Sequence, residues 1–209
     1  AYARDHHLLI ALASGHTEAL ADLRRLAAAG DVHAVRLQIA AAAVLAKRND
    51  VADARSILGG SAPELAVARA ALDAGKIPLG AIDTPALGLS ELFAQLAIDV
   101  KGDGHSPISL QLARLATYLA PDNAAAQIAA ADLLASNGYR DTALALLNQI
   151  PADNPLGETA RQERAGILIA LGEREAALAD AQRLAGQPNA NADAFVELGG
   201  ILSELERPA

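Results

Sequence analysis

Few side chains in this sequence stand where chemistry could be done. Gly75-Lys76 resembles the end of a phosphate-binding loop, which needs a glycine five places earlier and Ser or Thr after the lysine. Ala70 and Ile77 hold those places, so the pair is expected to cap the C-terminus of a helix. His6, His7 and His16 lie near Asp5. Adjacent residues on a helix point about 100° apart, and no two of these histidines have the i, i+4 spacing of a zinc site. His105 follows Gly104 and is expected in an exposed turn. Asp132, Asp141, Glu173 and Glu175 are scattered, whereas paired catalytic carboxylates need a shared pocket. Solvated helix faces account for them. No Ser, His and Asp share a recognisable catalytic context. Cysteine is absent, which removes disulfides and thiolate metal sites. The expectation is a non-enzyme with no cofactor and no metal.

The elements that would position any other site are helices. Apolar residues make up 52% of the 209, aromatic residues only 2%, and 52 positions are alanine. A core of Ala and Leu requires close backbone approach, which packed helices provide; the aromatic and β-branched clusters of strands are missing. The net charge of -8 repels phosphate backbones, so a nucleic-acid partner is not expected. LQIAAAAVLA (37–46) is too short for a membrane span of ~18 residues and is flanked by Arg36 and Lys47. The chain starts AYARDHH and contains no Met, as a fragment or processed form of a longer protein would. The compartment, periplasm or envelope against cytoplasm, is left open. Fourteen Arg against three Lys, with so much Ala, points to a GC-rich bacterial genome.

The positions that break helices are periodic. Gly138 has Ala131 seven residues before it, Ala143 five after and Pro155 seventeen after. Gly104 repeats this with Ala97, Ser109 and Pro121. Gly172 repeats it with Ala165 and Ala177, with Pro188 one place early. A further step puts Phe195, Leu198, Gly199 and Leu202 in register. Toward the N-terminus Asn49 takes the glycine place, between Ala42 and Ala54, and Gly15 lies 34 residues earlier. Gly or Asn supplies the left-handed residue that reverses the chain between two helices. Small residues sit where the helices cross, and Pro ends the unit.

This pattern resembles the tetratricopeptide repeat (TPR), 34 residues of helix, turn and helix. FAQLAIDV (93–100) and the Gly, Ser, Ala and Pro that follow to 121 carry the closest match, and the signature Trp is absent, as in degenerate repeats. RLATYLAPDN, LLA and IPADNP also look like TPR proteins common in alphaproteobacteria. The resemblance covers 90–209 and, less closely, 1–59. It implies an all-α superhelix (a TPR-like solenoid) of about twelve antiparallel helices. It implies a concave groove lined by the first helix of each unit, with Ile98, Lys101, Ile128, Asp132, Ala135, Gln162 and Ile169 as the partner-binding positions. Glu91, Ser136 and Gly166 occupy further groove places. Lys101 is the only cation among them, so the Lys/Asn/Arg clamp by which some TPR domains hold a carboxylate is not expected. The small apolar lining suits a helix or extended peptide.

Three segments follow. Residues 1–75 are expected to hold degenerate repeats, 76–89 an apolar connector, and 90–209 the array, as units 90–123, 124–157, 158–191 and a partial 192–209. A capping box at Ser61 and Glu64 is expected to open a helix over 61–75. The connector carries Ile77, Leu79, Ile82, Leu87 and Leu89 among Gly and Pro, with a helix restarting after Thr84-Pro85. A loop so apolar is expected to pack against 61–75 and 90–102 as an irregular joint near 76–90, or else to occupy the groove as a built-in ligand. The functional expectation is a protein-binding scaffold. The alternative is an assembly module that self-associates through the ends of the array.

Overall fold

The computed structural model describes residues 2–16, 18–27, 32–101, 106–186, 190 and 192–205. Among them the chain forms twelve α-helices and no strand. The first five are α1 (Tyr2–Ala13), α2 (Ala19–Ala27), α3 (Val32–Lys47), α4 (Val51–Ile57) and α5 (Pro63–Asp73). The rest are α6 (Pro85–Lys101), α7 (Pro107–Leu119), α8 (Ala124–Ser136), α9 (Arg140–Leu147), α10 (Gly157–Leu171), α11 (Arg174–Ala185) and α12 (Ala192–Leu205). Successive helices pair as hairpins: α1 with α2, α3 with α4, α6 with α7, α8 with α9, α10 with α11. First helices also stack on one another, α1 on α3, α6 on α8 and α8 on α10, and each second helix packs on the next first helix. This nearest-neighbour packing is that of a helical solenoid.

The periodic residues explain the hairpins. Gly15, Asn49, Gly138 and Gly172 have φ of +99°, +66°, +87° and +82°. Asn49 is the one non-glycine residue with positive φ among the described residues, so it does occupy a glycine place. Gly104, expected to form the third turn, lies outside the described residues, as do His105 and Pro188. The small residues meet at the crossings: Ala42 with Ala54, Ala97 with Ser109, Ala131 with Ala143, and Ala165 with Ala177 are all buried. Any larger side chain there would force the helices apart.

Gly75 closes α5, with φ +71° and bonds from its own N–H to Leu72 O (3.0 Å) and from Lys76 N–H to Ala71 O (2.8 Å). The expected capping box is not formed. α5 starts at Pro63, whose missing N–H suits the first helical position, and this leaves Ser61 outside the helix. α6 also starts on a proline, Pro85, and Thr84 Oγ1 accepts from the Leu87 N–H at 3.2 Å. The helix thus restarts at Thr84-Pro85 as expected, five residues before the expected start of the array at Ser90, and the irregular connector shrinks to 74–84.

That connector lies mainly against α3, a neighbour not anticipated from sequence. Ile82 is buried in the largest core cluster, with residues of α1 to α5, and Pro78 is buried too. Arg36 Nη1 donates to Gly80 O at 2.7 Å, and Lys47 Nζ lies 2.5 Å from Asp83 Oδ2. The 34-residue phase is broken at α5, which packs on α3, and the connector that follows turns back along α3. Ile77, Leu79 and Leu89 stay exposed rather than packed.

Candidate functional site

Three successive first helices bring charged groups together on one flank. Lys101 near the end of α6 reaches Asp132 in the middle of α8, with Nζ 2.9 and 2.7 Å from the two carboxylate oxygens. Glu163 of α10 faces the same pair. Burial pushes its carboxyl above the usual range, the Asp132 charge adds to the rise, and Lys101 opposes it. Asp132, Ala135, Ser136, Gln162, Glu163 and Gly166 line a shallow hollow of about 250 Å³ with Arg140 at its edge. A Cβ at Gly166 would meet nothing within 4 Å, so the hollow is open there. It offers two carboxylates and a carboxamide to a polar or basic side chain.

The expected groove residues divide between this hollow and the packing around it. Asp132, Ala135 and Gln162 line the hollow, and Lys101 is tied to it through Asp132. Ile98 is 49% exposed, one turn before Lys101. Ile128 and Ile169 do not reach the hollow; both are half-buried against neighbouring core clusters. Glu163 was not anticipated. It stands one place beyond Gln162, and a register of fixed places cannot show that the stagger of the helices aims it at Asp132.

A second polar group joins the two halves of the chain. Arg36 of α3 and Glu91 of α6 form an ion pair, their side chains only 12% and 13% exposed. Arg36 Nη2 donates to Glu91 Oε2 at 3.1 Å, and Nε lies 2.9 Å from Oε1, off the line of its N–H. Asn123 Nδ2 donates to the same Glu91 Oε2 at 3.1 Å and to Ser90 Oγ at 3.0 Å. Ser90 Oγ donates to Ala116 O at 2.8 Å, and Asn123 Oδ1 caps α8 by accepting from the Ala125 N–H. With Gly80 O on the other side of Arg36, one chain of bonds links the connector, α3, α6, α7 and α8. Glu91, expected in the groove, is spent on this joint.

Beside the joint runs a larger cleft, about 540 Å³. One wall is the connector, Ile77 to Ala81, lying over Arg36, Ile39 and Lys47. The other is the N-terminal end of α8 with the segment before α10, including Asn123, Gln127, Asn154, Pro155 and Leu156.

The chain finds no match among protein-family models, curated proteins or solved structures. The fold itself defines the class, an all-α, solenoid-like stack of helices.

Proposed function

We propose that the chain is a non-catalytic scaffold of TPR-like helical repeats that binds a peptide or helical segment of a partner protein. The observation that carries this is the hollow on α8 and α10, where Asp132, Gln162 and Glu163 surround the open space over Gly166. The three acidic and polar side chains suit a basic or hydrogen-bonding residue of the partner, in a molecule of net charge -8. Ile98, exposed one turn before Lys101, adds an apolar surface nearby.

Gly166→Leu tests this without disturbing the core. The new side chain fills the hollow, and replacing a mid-helix glycine stabilises α10 by ~1 kcal/mol. Loss of partner binding at an unchanged or raised melting temperature is the expected result. Partner binding that survives Gly166→Leu would remove the hollow as the site. Ile128→Glu is a poorer probe, because Ile128 also packs against the α8–α10 core.

A second reading, assembly through the array end, is favoured by α12. Phe195 and Val196 are 56% and 73% exposed there, and Gly199, in the place of the buried Ala131 and Ala165, has open space over it.

A further inference from the structure

The hairpin of α6 and α7 opens the C-terminal array, and one of its sides is apolar from end to end. On α6 that side carries Leu89, Phe93, Leu96 and Val100, and on α7 it carries Ile108, Leu112, Leu115 and Leu119. Leu89, Phe93 and Leu96 each stand one residue before Ser90, Ala94 and Ala97, which are buried. Ile108, Leu112 and Leu115 stand in the same way before Ser109, Ala113 and Ala116, also buried. Ser90 Oγ donates to Ala116 O, so the start of α6 lies beside the end of α7 and the two helices are antiparallel. Each stripe is turned about 100° from the crossing, and in antiparallel helices that turn brings both stripes to one side.

The other side of the hairpin is taken. Glu91, about 200° round the helix from Leu89 and Phe93, bonds Asn123 of α8 and Arg36 of α3. The apolar side is open: Leu89, Val100, Ile108 and Leu115 are 45%, 41%, 63% and 41% exposed.

The hairpins that follow are built differently at these places. A step of 34 residues puts Asn123, Gln127, Gln149 and Asp153 there, and a second step Arg161, Arg164, Asp180 and Arg183. Those later hairpins have a preceding unit to cover them. Gln127 and Ala130 are buried, and Leu146 packs on the cluster that contains Ala97 and Ala113. The α6–α7 hairpin follows the break in phase at α5, yet it carries large apolar residues at all eight places. A surface that only had to meet water would be polar.

The spacing selects the occupant. Along each helix the stripe advances by four, three and four residues, the seam pattern by which helices interdigitate with other helices. The eight places hold no charge and no hydrogen-bonding group, so nothing on this face repels its own copy. Helices of 17 and 13 residues, side by side, present a face of about 500 Å². Two such faces bury about 1,000 Å², the threshold of a specific interface.

We propose that this face joins two copies of the chain, the α6–α7 hairpins pairing about a two-fold axis as a four-helix bundle. The contact is separate from the hollow at Gly166 and from the open face of α12. It goes beyond the scaffold reading by giving the array a fixed partner, a second copy of itself.

The full chain, followed by sedimentation velocity and light scattering, should have twice the mass of one 21.4 kDa chain. Two variants each place a charge in the seam at a helix end where the helix dipole favours it, so the fold is kept. They are Ile108→Glu in the first turn of α7 and Val100→Lys in the last turn of α6. Each should weaken the dimer by about a hundredfold or more while circular dichroism stays helical. The chain has no cysteine, so Tyr118→Cys, at a position 81% exposed and next to Leu119, supplies a single thiol for a spin label. Labelled protein should give one distance between copies by pulsed electron resonance, and Ile108→Glu should abolish it. Phe195→Glu acts at the far end of the array; it should remove species larger than the dimer and leave the dimer intact. A monomeric native chain would overturn the proposal, as would a dimer that survives both seam variants or one that Phe195→Glu dissolves. None of these results bears on the hollow, and Gly166→Leu decides the scaffold reading separately.

Discussion

Arg36 shows how one side chain can hold two arrays in register. It bonds Gly80 of the connector on one side and Glu91 of α6 on the other, with little exposure to water. Removing one member of such a pair leaves the other carrying an unmatched charge in a poorly solvated place. Arg36→Leu should therefore cost about 3 kcal/mol in urea unfolding, and Arg36→Leu combined with Glu91→Leu should cost less than the two singles together. Strictly additive, sub-kilocalorie effects would show that the pair is not the joint. Glu163 makes the opposite demand. Its carboxyl is raised by burial and by Asp132, so the folded state disfavours its ionised form. A raised carboxyl pKa means stability rises as pH falls through the folded pKa toward the unfolded one, and the penalty is fully present at neutral pH. Glu163→Gln should then raise the melting temperature at pH 7, with the gain fading toward pH 4. An equal gain at both pH values would place the effect outside ionisation.

At the scale of elements, the connector behaves as part of the N-terminal core. Ile82 is 2% exposed within that core, and truncating a buried Ile to Ala costs ~2–5 kcal/mol. Replacing 77–82 with Gly and Ser removes Ile82 and Pro78 together, and a fall of about 10 °C in melting temperature is expected for a chain of this size. Trypsin should cut native protein slowly at Lys76, because its peptide neighbours are held between the cap of α5 and the buried Pro78. A melting temperature little changed by the replacement would show that the connector rests on α3 without supporting it.

Over the whole molecule, the ends of the stack differ from its middle. Each interior first helix is covered by a hairpin partner at its small crossing residue, whereas at Gly199 of α12 that place is open and Phe195, Val196 and Leu202 face outward. Solenoids need such faces covered. Sedimentation should show mass rising with concentration, and Phe195→Glu should suppress the rise without loss of helical circular dichroism. A native chain that stays monomeric throughout would leave the scaffold reading without its assembly rival.

The hairpins and their spacing were legible in the sequence, because their requirements are local. A left-handed turn admits little but Gly or Asn, and a close helix crossing admits little but Ala, Ser or Gly. Asn49, Gly138 and Gly172 and the four pairs of small residues therefore disclosed the 34-residue phase and the all-helical class without any knowledge of packing. Part of the hollow was legible for the same reason: Asp132, Ala135 and Gln162 follow from the phase of their helices. What joins the units was not. Arg36 and Glu91 are 55 residues apart, and nothing periodic relates them. Glu163 reaches Asp132 only through the stagger of α8 against α10, and Gln127 and Asn154 share a cleft only because the connector lies over α3. Local backbone preference is written residue by residue. The meeting of distant side chains depends on how whole helices stack, and tertiary structure alone decides that.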